Sequence, residues 1–102
     1  MGDAALGLVV AERLFADDPT APVGALTTRR AEIVSGATLA RWAAALELGS
    51  MLRLGRGAAA TGGAERASVL AEALEAVFGA IYLEGGLDAL RPVVGRLAAW
   101  PP

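Results

Sequence analysis

Two glutamates close together on a predicted helix are the residues of this chain best suited to chemistry. Glu72 and Glu75 are the charged residues of segment 68–83, SVLAEALEAVFGAIYL, and their i, i+3 spacing puts them on one helix face. Two like charges on an otherwise apolar helix are costly unless cations neutralise them. Carboxylate oxygens are hard ligands, so the pair suits Mg²⁺ or Mn²⁺. The residues alone leave a second interpretation open, in which both glutamates lie on the helix's one solvated face, beside an arginine.

Asp3 is a third candidate carboxylate, at the start of another apolar segment. By spacing alone it is also a typical N-cap, a role that stabilises a helix by about 1 kcal/mol. The chain contains no His and no Cys, which excludes imidazole and thiolate ligands, disulfides and the commonest general base. Any catalysis must therefore rest on carboxylates, hydroxyls, arginine or a bound metal ion.

The elements that would position these carboxylates are predicted to be helices. Apolar residues recur at helical spacing, and the segments that connect these stretches are rich in Pro and Gly. No alternating strand of useful length is present, so the sequence predicts an all-α domain of about five helices. The predicted helices are Asp3–Ala16, Ala25–Val34, Ala37–Leu48, Val69–Leu83 and a last one from Leu87. Gly49 is the predicted stop of the third helix, and Ser68 and Gly85-Gly86 are the predicted N-cap and end of the fourth. Pro92 kinks or restarts the last helix.

The helix that carries the two glutamates has a predicted core face at Leu70, Leu74, Val77 and Ile81. Its other positions are mostly Ala and Gly, which lets neighbouring helices approach closely. We expect this helix to be central, with the helix from Asp3 beside it, so that Asp3 and the two glutamates form one acidic cluster.

The composition limits the number of domains and the class of protein. The 102 residues are enough for one domain with a real core, and 55% of them are hydrophobic, which fits tightly packed helices or a surface covered by a partner. The net charge is −2, so the chain as a whole is not the basic body of a generic nucleic-acid binder. Nothing resembles a signal peptide or a membrane-spanning run, and we expect a soluble, cytoplasmic protein.

Four ordered blocks of this sequence resemble the catalytic domain of the ribonuclease III family. Residues 1–8 (MGDAALGL) are similar to the end of its Glu-Phe-Leu-Gly-Asp-Ala signature, and residues 24–34 to its Gly-x-Leu-Thr…Arg-Ala…Val stretch. Residues 54–57 with 62–63 look like its glycine-containing loop. Residues 68–86 resemble its Ser-Ile-Leu-Ala-Asp-x-x-Glu-Ala…Gly-Ala-Ile-Tyr-Leu-Asp-Gly-Gly helix. The resemblance extends over nearly the whole chain.

The resemblance implies roles for the three carboxylates. Asp3 matches the metal-binding Asp of the signature, and Glu75 matches the Glu that is essential for metal binding in the long helix. Glu72 stands where the family usually has Asp, so its carboxylate reaches further by one methylene. Asp3 and Glu75 are therefore the implied catalytic residues, and all three carboxylates are implied ligands of Mg²⁺, with Mn²⁺ as a substitute.

This chain also departs from the family pattern. The family's fourth carboxylate, a Glu four residues before the Asp, has no counterpart because the sequence begins at Met1, nor does the Phe that follows that Glu and helps the family dimerise. Val23 and Ala58 stand where the family often has Glu. Residues 1–102 contain no counterpart of the double-stranded-RNA-binding domain that commonly follows. We therefore expect residues 1–102 to be a catalytic domain that is incomplete at its N-terminus. Either the start site was assigned too late, or the chain is a fragment or a degenerate copy.

The resemblance implies metal-dependent hydrolysis of phosphodiester bonds within double-stranded RNA, of the rRNA and mRNA precursor-processing type. It also implies a homodimer, if the missing N-terminal segment is present. Duplex RNA is recognised by its shape, through phosphates and 2′-hydroxyls. The cations that we expect near that backbone, rather than on a merely solvated face, are Arg29, Arg30, Arg56 and Arg66.

Two rival interpretations remain open. One is a non-catalytic ribonuclease III-like module that binds structured RNA or a ribosome, which the missing Glu, Val23 and Glu72 favour and which Asp3 and Glu75 disfavour. The other is a helical interaction domain whose acidic pair is incidental.

Overall fold

Helices form all the regular structure in the described part of the chain. The computed structural model describes residues 1–48 and 63–100, which contain α1 (Gly2–Asp17), α2 (Val23–Ile33), α3 (Gly36–Ala45) and α4 (Gly63–Leu97). No strand occurs among these residues, so the prediction of an all-α fold is confirmed. None of the described helices combines the length and the hydropathy needed to cross a bilayer.

The first helix packs on one side against α4 and on another against α2. Its apolar residues recur at the spacing of one helix face, and Ala5, Leu6, Val9 and Val10 are buried in the core. Leu14, which continues this spacing, is partly buried beside them. Pro22 is the N-cap of α2, which buries none of its residues and lies at the periphery.

The third helix begins at a capping serine and ends earlier than predicted. The Ser35 side chain accepts a hydrogen bond from the Thr38 backbone N–H at 3.2 Å, which satisfies one of the helix's free donors. Leu39, Trp42 and Ala43 then face α4 and are buried. The helix ends at Ala45 rather than Leu48 because Glu47 is left-handed, with φ 55°. The predicted stop at Gly49 lies outside the described residues.

The long helix α4 starts sooner than the sequence predicts. It begins at Gly63, so Ser68 lies inside it and the predicted N-cap is wrong. The reason is that residues 64–67, Ala-Glu-Arg-Ala, are strong helix formers that extend the helix towards its N-terminus.

The core face of α4 is also rotated from the predicted one. Ala71, Leu74 and Phe78 are buried, whereas the predicted core residue Val77 is 39% exposed. This helix packs against both α1 and α3, and the face that meets the two neighbours is centred on Leu74 and Phe78.

A break at Gly86 divides α4 into two arms, residues 63–85 and 87–97. Gly86 has φ 69° and ψ −165°, a combination open essentially to glycine alone. The predicted end of the long helix at Gly85-Gly86 is therefore confirmed. Pro92 lies within the second arm and neither begins nor ends it. That arm buries Leu90 and Val94 completely.

We expect Gly86→Ala to destabilise the fold by about 1–3 kcal/mol, because a Cβ makes this backbone conformation strained. Chemical unfolding of the variant and the parent chain measures the difference. Gly95→Ala is the matched control, because it lies in the second arm with helical backbone and no atom within 4 Å of the added Cβ. That control should be neutral or slightly stabilising. Equal stability of Gly86→Ala and Gly95→Ala would contradict the break.

The second arm ends in a left-handed turn formed without glycine. Ala99 has φ 55°, its N–H donates to the Arg96 carbonyl at 3.1 Å, and the Trp100 N–H donates to the Gly95 carbonyl at 3.0 Å. This pair of bonds is the Schellman motif, in which glycine usually occupies the Ala99 position. The turn directs Trp100 back towards α1, where its ring lies beside Arg13.

Candidate active site

Asp3 lies in the first turn of α1 and projects into solvent. The N-cap residue of this helix is Met1, which makes no side-chain cap bond, so Asp3 is not the N-cap that its spacing also allowed. Its Oδ1 accepts a hydrogen bond from the Ala4 backbone N–H at 2.9 Å and lies 3.5 Å from the N-terminal ammonium. With 74% of its side chain exposed, the carboxylate is accessible to a ligand.

Two glycines bring α1 directly onto α4 at this point. Gly2 and Gly79 are both buried, and a Cβ built on Gly79 would lie 3.5 Å from the Gly2 nitrogen. A Cβ built on Gly2 would overlap the backbone carbonyl oxygen of Glu75. The backbones are therefore in direct contact, which places Asp3 next to the glutamates of α4. Neither glycine is among the predicted site residues, although their positions, just before Asp3 and one turn after Glu75, were visible signals.

Asp3, Glu72 and Glu75 line one open cleft of about 460 Å³. Its remaining walls are small or apolar and include Ala76, Gly79, Ala80 and Leu83. Glu72 is exposed and Glu75 is half-buried. The helices from Asp3 and from Ser68 lie side by side as expected, and all three carboxylates border the space between them. Their function as metal ligands stays a prediction.

The chemistry of this donor set fits a hard divalent ion, because all of its ligand atoms are carboxylate oxygens. Within residues 1–48 and 63–100, neither Glu72 nor Glu75 has a hydrogen-bond or ion-pair partner, so no arginine neutralises them there. Over the same residues, however, no three carboxylates are already grouped around one point as metal ligands. The expected acidic cluster is therefore a cleft that the three carboxylates share without forming a ligand group.

The four predicted RNA-binding arginines occupy different places. Arg29 pairs with Asp18 at 3.7 Å on the surface of α2. Arg30 extends over α1, with Nη1 3.3 Å from the position of a Cβ on Gly7, one turn beyond Asp3. Arg66 is exposed on α4, nine residues before Glu75 and hence about half a turn around the helix from it.

Arg56 lies outside the described residues. Of the three arginines that are described, Arg30 has its guanidinium over α1 at Gly7, whereas Arg66 lies on another side of α4 from Glu75. Contact of any of the four with RNA stays a prediction.

Comparison with known proteins identifies a family to which this sequence and fold are similar. Residues 1–99 match the family model described as ribonuclease-III-like. The chain is 55% identical over 91 residues to Ribonuclease 3 of Heliobacterium modesticaldum, covering 89% of this chain and 39% of that protein. It is 50% identical over 97 residues to Ribonuclease 3 of Streptomyces coelicolor, covering 95% of this chain and 35% of that protein.

A solved structure has the same fold. The nuclease domain of ribonuclease III from Campylobacter jejuni superimposes with a TM-score of 0.88 and 38% sequence identity, covering 95% of this chain and 68% of that one. The chain thus spans about two fifths of the length of the curated relatives that it matches and about two thirds of a related nuclease domain. The family model, the identities and the superposition agree, and the chain belongs to the ribonuclease-III-like family.

Proposed function

We propose that this chain is the greater part of a divalent-metal-dependent endoribonuclease domain that hydrolyses phosphodiester bonds within double-stranded RNA, in the processing of rRNA or mRNA precursors. The observation that carries the proposal is the cleft in which Asp3 of α1 meets Glu72 and Glu75 of α4. Family membership supports RNA cleavage in general, and the oxygen-only donor set supports Mg²⁺, with Mn²⁺ as a substitute.

The residues around this cleft have different proposed roles. Asp3, Glu72 and Glu75 would hold the ion, which when bound supplies Lewis-acid activation of water and neutralises charge developing on the phosphate. The Ala4 N–H orients the Asp3 carboxylate through its 2.9 Å hydrogen bond. Gly2 and Gly79 fix the separation of the two helices. The small side chains of Ala76 and Ala80 leave room for a phosphodiester.

Exposed cations on neighbouring helices support binding of the RNA backbone. Arg30 crosses α1 one turn beyond Asp3 and has no ion-pair partner within the described ranges. Its guanidinium presents several donors in a geometry that matches phosphate oxygens. Arg29 is already paired with Asp18, a surface pair that a phosphate can displace at small cost because such pairs contribute at most about 1 kcal/mol.

An exposed apolar stripe on α1 supports a homodimer. Leu8 and Phe15 are 49% and 60% exposed and lie seven residues apart, on one side of the helix. The related nuclease domain from Campylobacter jejuni is itself described as having structural flexibility in a region involved in dimer formation. We propose that two copies of this chain pair through the α1 stripe of Leu8 and Phe15.

Leu8→Glu is expected to shift the chain towards monomer, because a carboxylate buried in an apolar interface would be unpaired. Sedimentation velocity over a series of protein concentrations measures the shift. Val23→Glu is the control, since Val23 is 80% exposed on the peripheral helix α2. A parent chain that stays monomeric throughout, or equal effects of the two variants, would contradict pairing through α1.

The test of the proposed activity is cleavage of a duplex RNA and of its separate strands, with Mg²⁺, with Mn²⁺ and with chelator. We expect slow cutting of the duplex alone, dependent on the metal, with products ending in 5′ phosphates. The rate should be low because the carboxylates line the cleft without converging, which leaves the ion loosely held. Cutting that survives the chelator would overturn the carboxylate–metal proposal.

Glu72→Asp is expected to maintain or raise the cleavage rate. The shorter side chain restores the length that the family usually has at this position, and misplacement of a reacting group by about 1 Å can cost roughly a hundredfold in rate. Rates with Mn²⁺ at saturating duplex RNA compare the variant with the parent. A large loss on this substitution would show that the cleft is built around the longer carboxylate.

The lack of convergence also favours a second candidate, a non-catalytic module that binds structured RNA or a ribosome. Among the described residues no three carboxylates are already grouped around one point as metal ligands, and Glu72 and Val23 depart from the family pattern. This candidate predicts metal-independent binding of duplex RNA without cleavage at any Mn²⁺ concentration. The same assay, followed by a binding measurement in chelator, separates the two.

A further inference from the structure

A second cleft lies between the C-terminal half of α1 and the second arm of α4. Its volume is about 700 Å³, within the range of roughly 300–1,000 Å³ that small-molecule sites occupy. Its α1 wall includes Val9 and Glu12, and its other wall includes Pro92 and Trp100. Glu12 is nine residues after Asp3, or about 14 Å along the helix, so this cleft is separate from the candidate active site.

Glu12 and three arginines, Arg13, Arg91 and Arg96, line this second cleft, and two of the arginines are paired with carboxylates. Arg13 pairs with Asp17 at 3.0 Å. Arg91 is held in position by Glu12, at 3.1 Å across the cleft, and by Asp88 at 2.7 Å. Within the described part of the chain, Arg96 has no carboxylate partner. A guanidinium at the rim is thus available to an anion.

An aromatic ring forms the end wall of the second cleft. Trp100 reaches it through the left-handed turn at Ala99, a conformation that is costly for a residue with a Cβ. The guanidinium carbon of Arg13 lies over one face of this ring, 5.5 Å from its centroid, so a base stacks where Arg13 leaves the ring open. An indole beside cations is a surface on which nucleobases stack, since every base has a π-face. Apolar atoms of Val9, Pro92 and Ala99 complete the wall.

We propose that the second cleft binds a nucleobase that carries a phosphate, with the base against the indole of Trp100 and the phosphate on Arg96. The combination of an aromatic wall, apolar sides and the guanidinium of Arg96, unpaired within the described residues, fits both parts of such a ligand. A free nucleotide and an unpaired end of an RNA strand share this chemistry. The site lies outside the carboxylate cleft, so it is independent of whether the chain cleaves RNA.

Calorimetric titration of the chain in EDTA tests the proposal without any contribution from a metal site. The ligands are adenosine monophosphate, adenosine, inorganic phosphate and a single-stranded tetra-adenylate. Arg96→Gln should weaken monophosphate binding by about tenfold or more and leave adenosine unchanged, because a charge-assisted hydrogen bond is lost. Trp100→Leu should weaken both by about tenfold through loss of stacking. Arg41→Gln, on α3 and outside the cleft, is the control and should change nothing.

The titrations also distinguish the two sources of the ligand. Tighter binding of tetra-adenylate than of the monophosphate, with the same dependence on Arg96, supports the cleft and identifies an RNA end as the source. Equal binding supports the cleft and identifies a free nucleotide. No saturable binding of the monophosphate, or equal losses in Arg96→Gln and Arg41→Gln, overturns the proposal. If circular dichroism shows that Trp100→Leu is unfolded, the Arg96 variant alone settles the matter.

Discussion

Glu75→Ala will abolish the metal-dependent cleavage of duplex RNA while leaving the fold intact. A carboxylate that helps hold the ion contributes several kcal/mol of charge stabilisation, and a loss of about 4 kcal/mol corresponds to about a thousandfold in rate. The side chain is half-buried at the cleft wall and has no hydrogen-bond partner among the described residues. Removing the Glu75 carboxylate therefore breaks no hydrogen bond within the described residues. Single-turnover cleavage with Mn²⁺, together with a thermal unfolding curve, measures both effects.

The matched control for this variant is Glu84→Ala. Glu84 is exposed on the same helix, further towards its C-terminus, and does not line the candidate active site. We expect its cleavage rate to stay within about twofold of the parent, since surface changes away from a site have small effects. If the two variants cleave at the same rate, the site assignment is wrong, whatever the family.

Gly2→Ala is expected to reduce cleavage by roughly a hundredfold with little loss of stability. An added Cβ would overlap the backbone carbonyl of Glu75, so the first turn of α1 must move away from α4 and take Asp3 with it. A displacement of about 1 Å is enough for a loss of this size. Because Gly2 is at the very start of the helix, the turn can fray without disturbing the core around Leu6 and Val10. The cleavage rate and the unfolding midpoint should therefore respond differently.

Gly79→Ala provides the comparison from the other side of the same contact. Its Cβ would lie 3.5 Å from the Gly2 nitrogen and 3.7 Å from the Gly2 Cα, which is ordinary van der Waals contact. This variant should keep most of its activity, and alanine in place of a helical glycine favours the helix. An equal loss in both variants would mean that the contact tolerates no added atom from either side. Full activity of Gly2→Ala would mean that close helix contact does not position Asp3.

Several features of this protein were accessible from local sequence patterns. The periodicity of apolar residues predicted the helices and their order, and the i, i+3 spacing of Glu72 and Glu75 placed them on one face. Gly85-Gly86 predicted the break in α4, which glycine backbone freedom makes possible. These features depend on residues that are near each other in the chain, where propensity and spacing carry most of the information.

The ends of the helices and the buried face of α4 were harder to predict from the sequence. Ser68 has the side chain of an N-cap, but helix-forming residues before it extend the helix to Gly63. Val77 has the spacing of a core residue but is exposed, because the positions of α1 and α3 select which face of α4 is buried. Packing partners that are distant in sequence override the local preference in such cases.

By itself, the sequence determined an all-α chain with the ribonuclease III pattern and three carboxylates of the right type, since those properties belong to residue identity and short-range spacing. The tertiary structure decided that these carboxylates line one cleft, through the backbone contact between Gly2 and Gly79, and it showed that they do so without converging. It also formed the second cleft, where Trp100 near one end of the chain meets Arg13 near the other. Contacts of that range depend on how whole helices pack, and no local spacing encodes them.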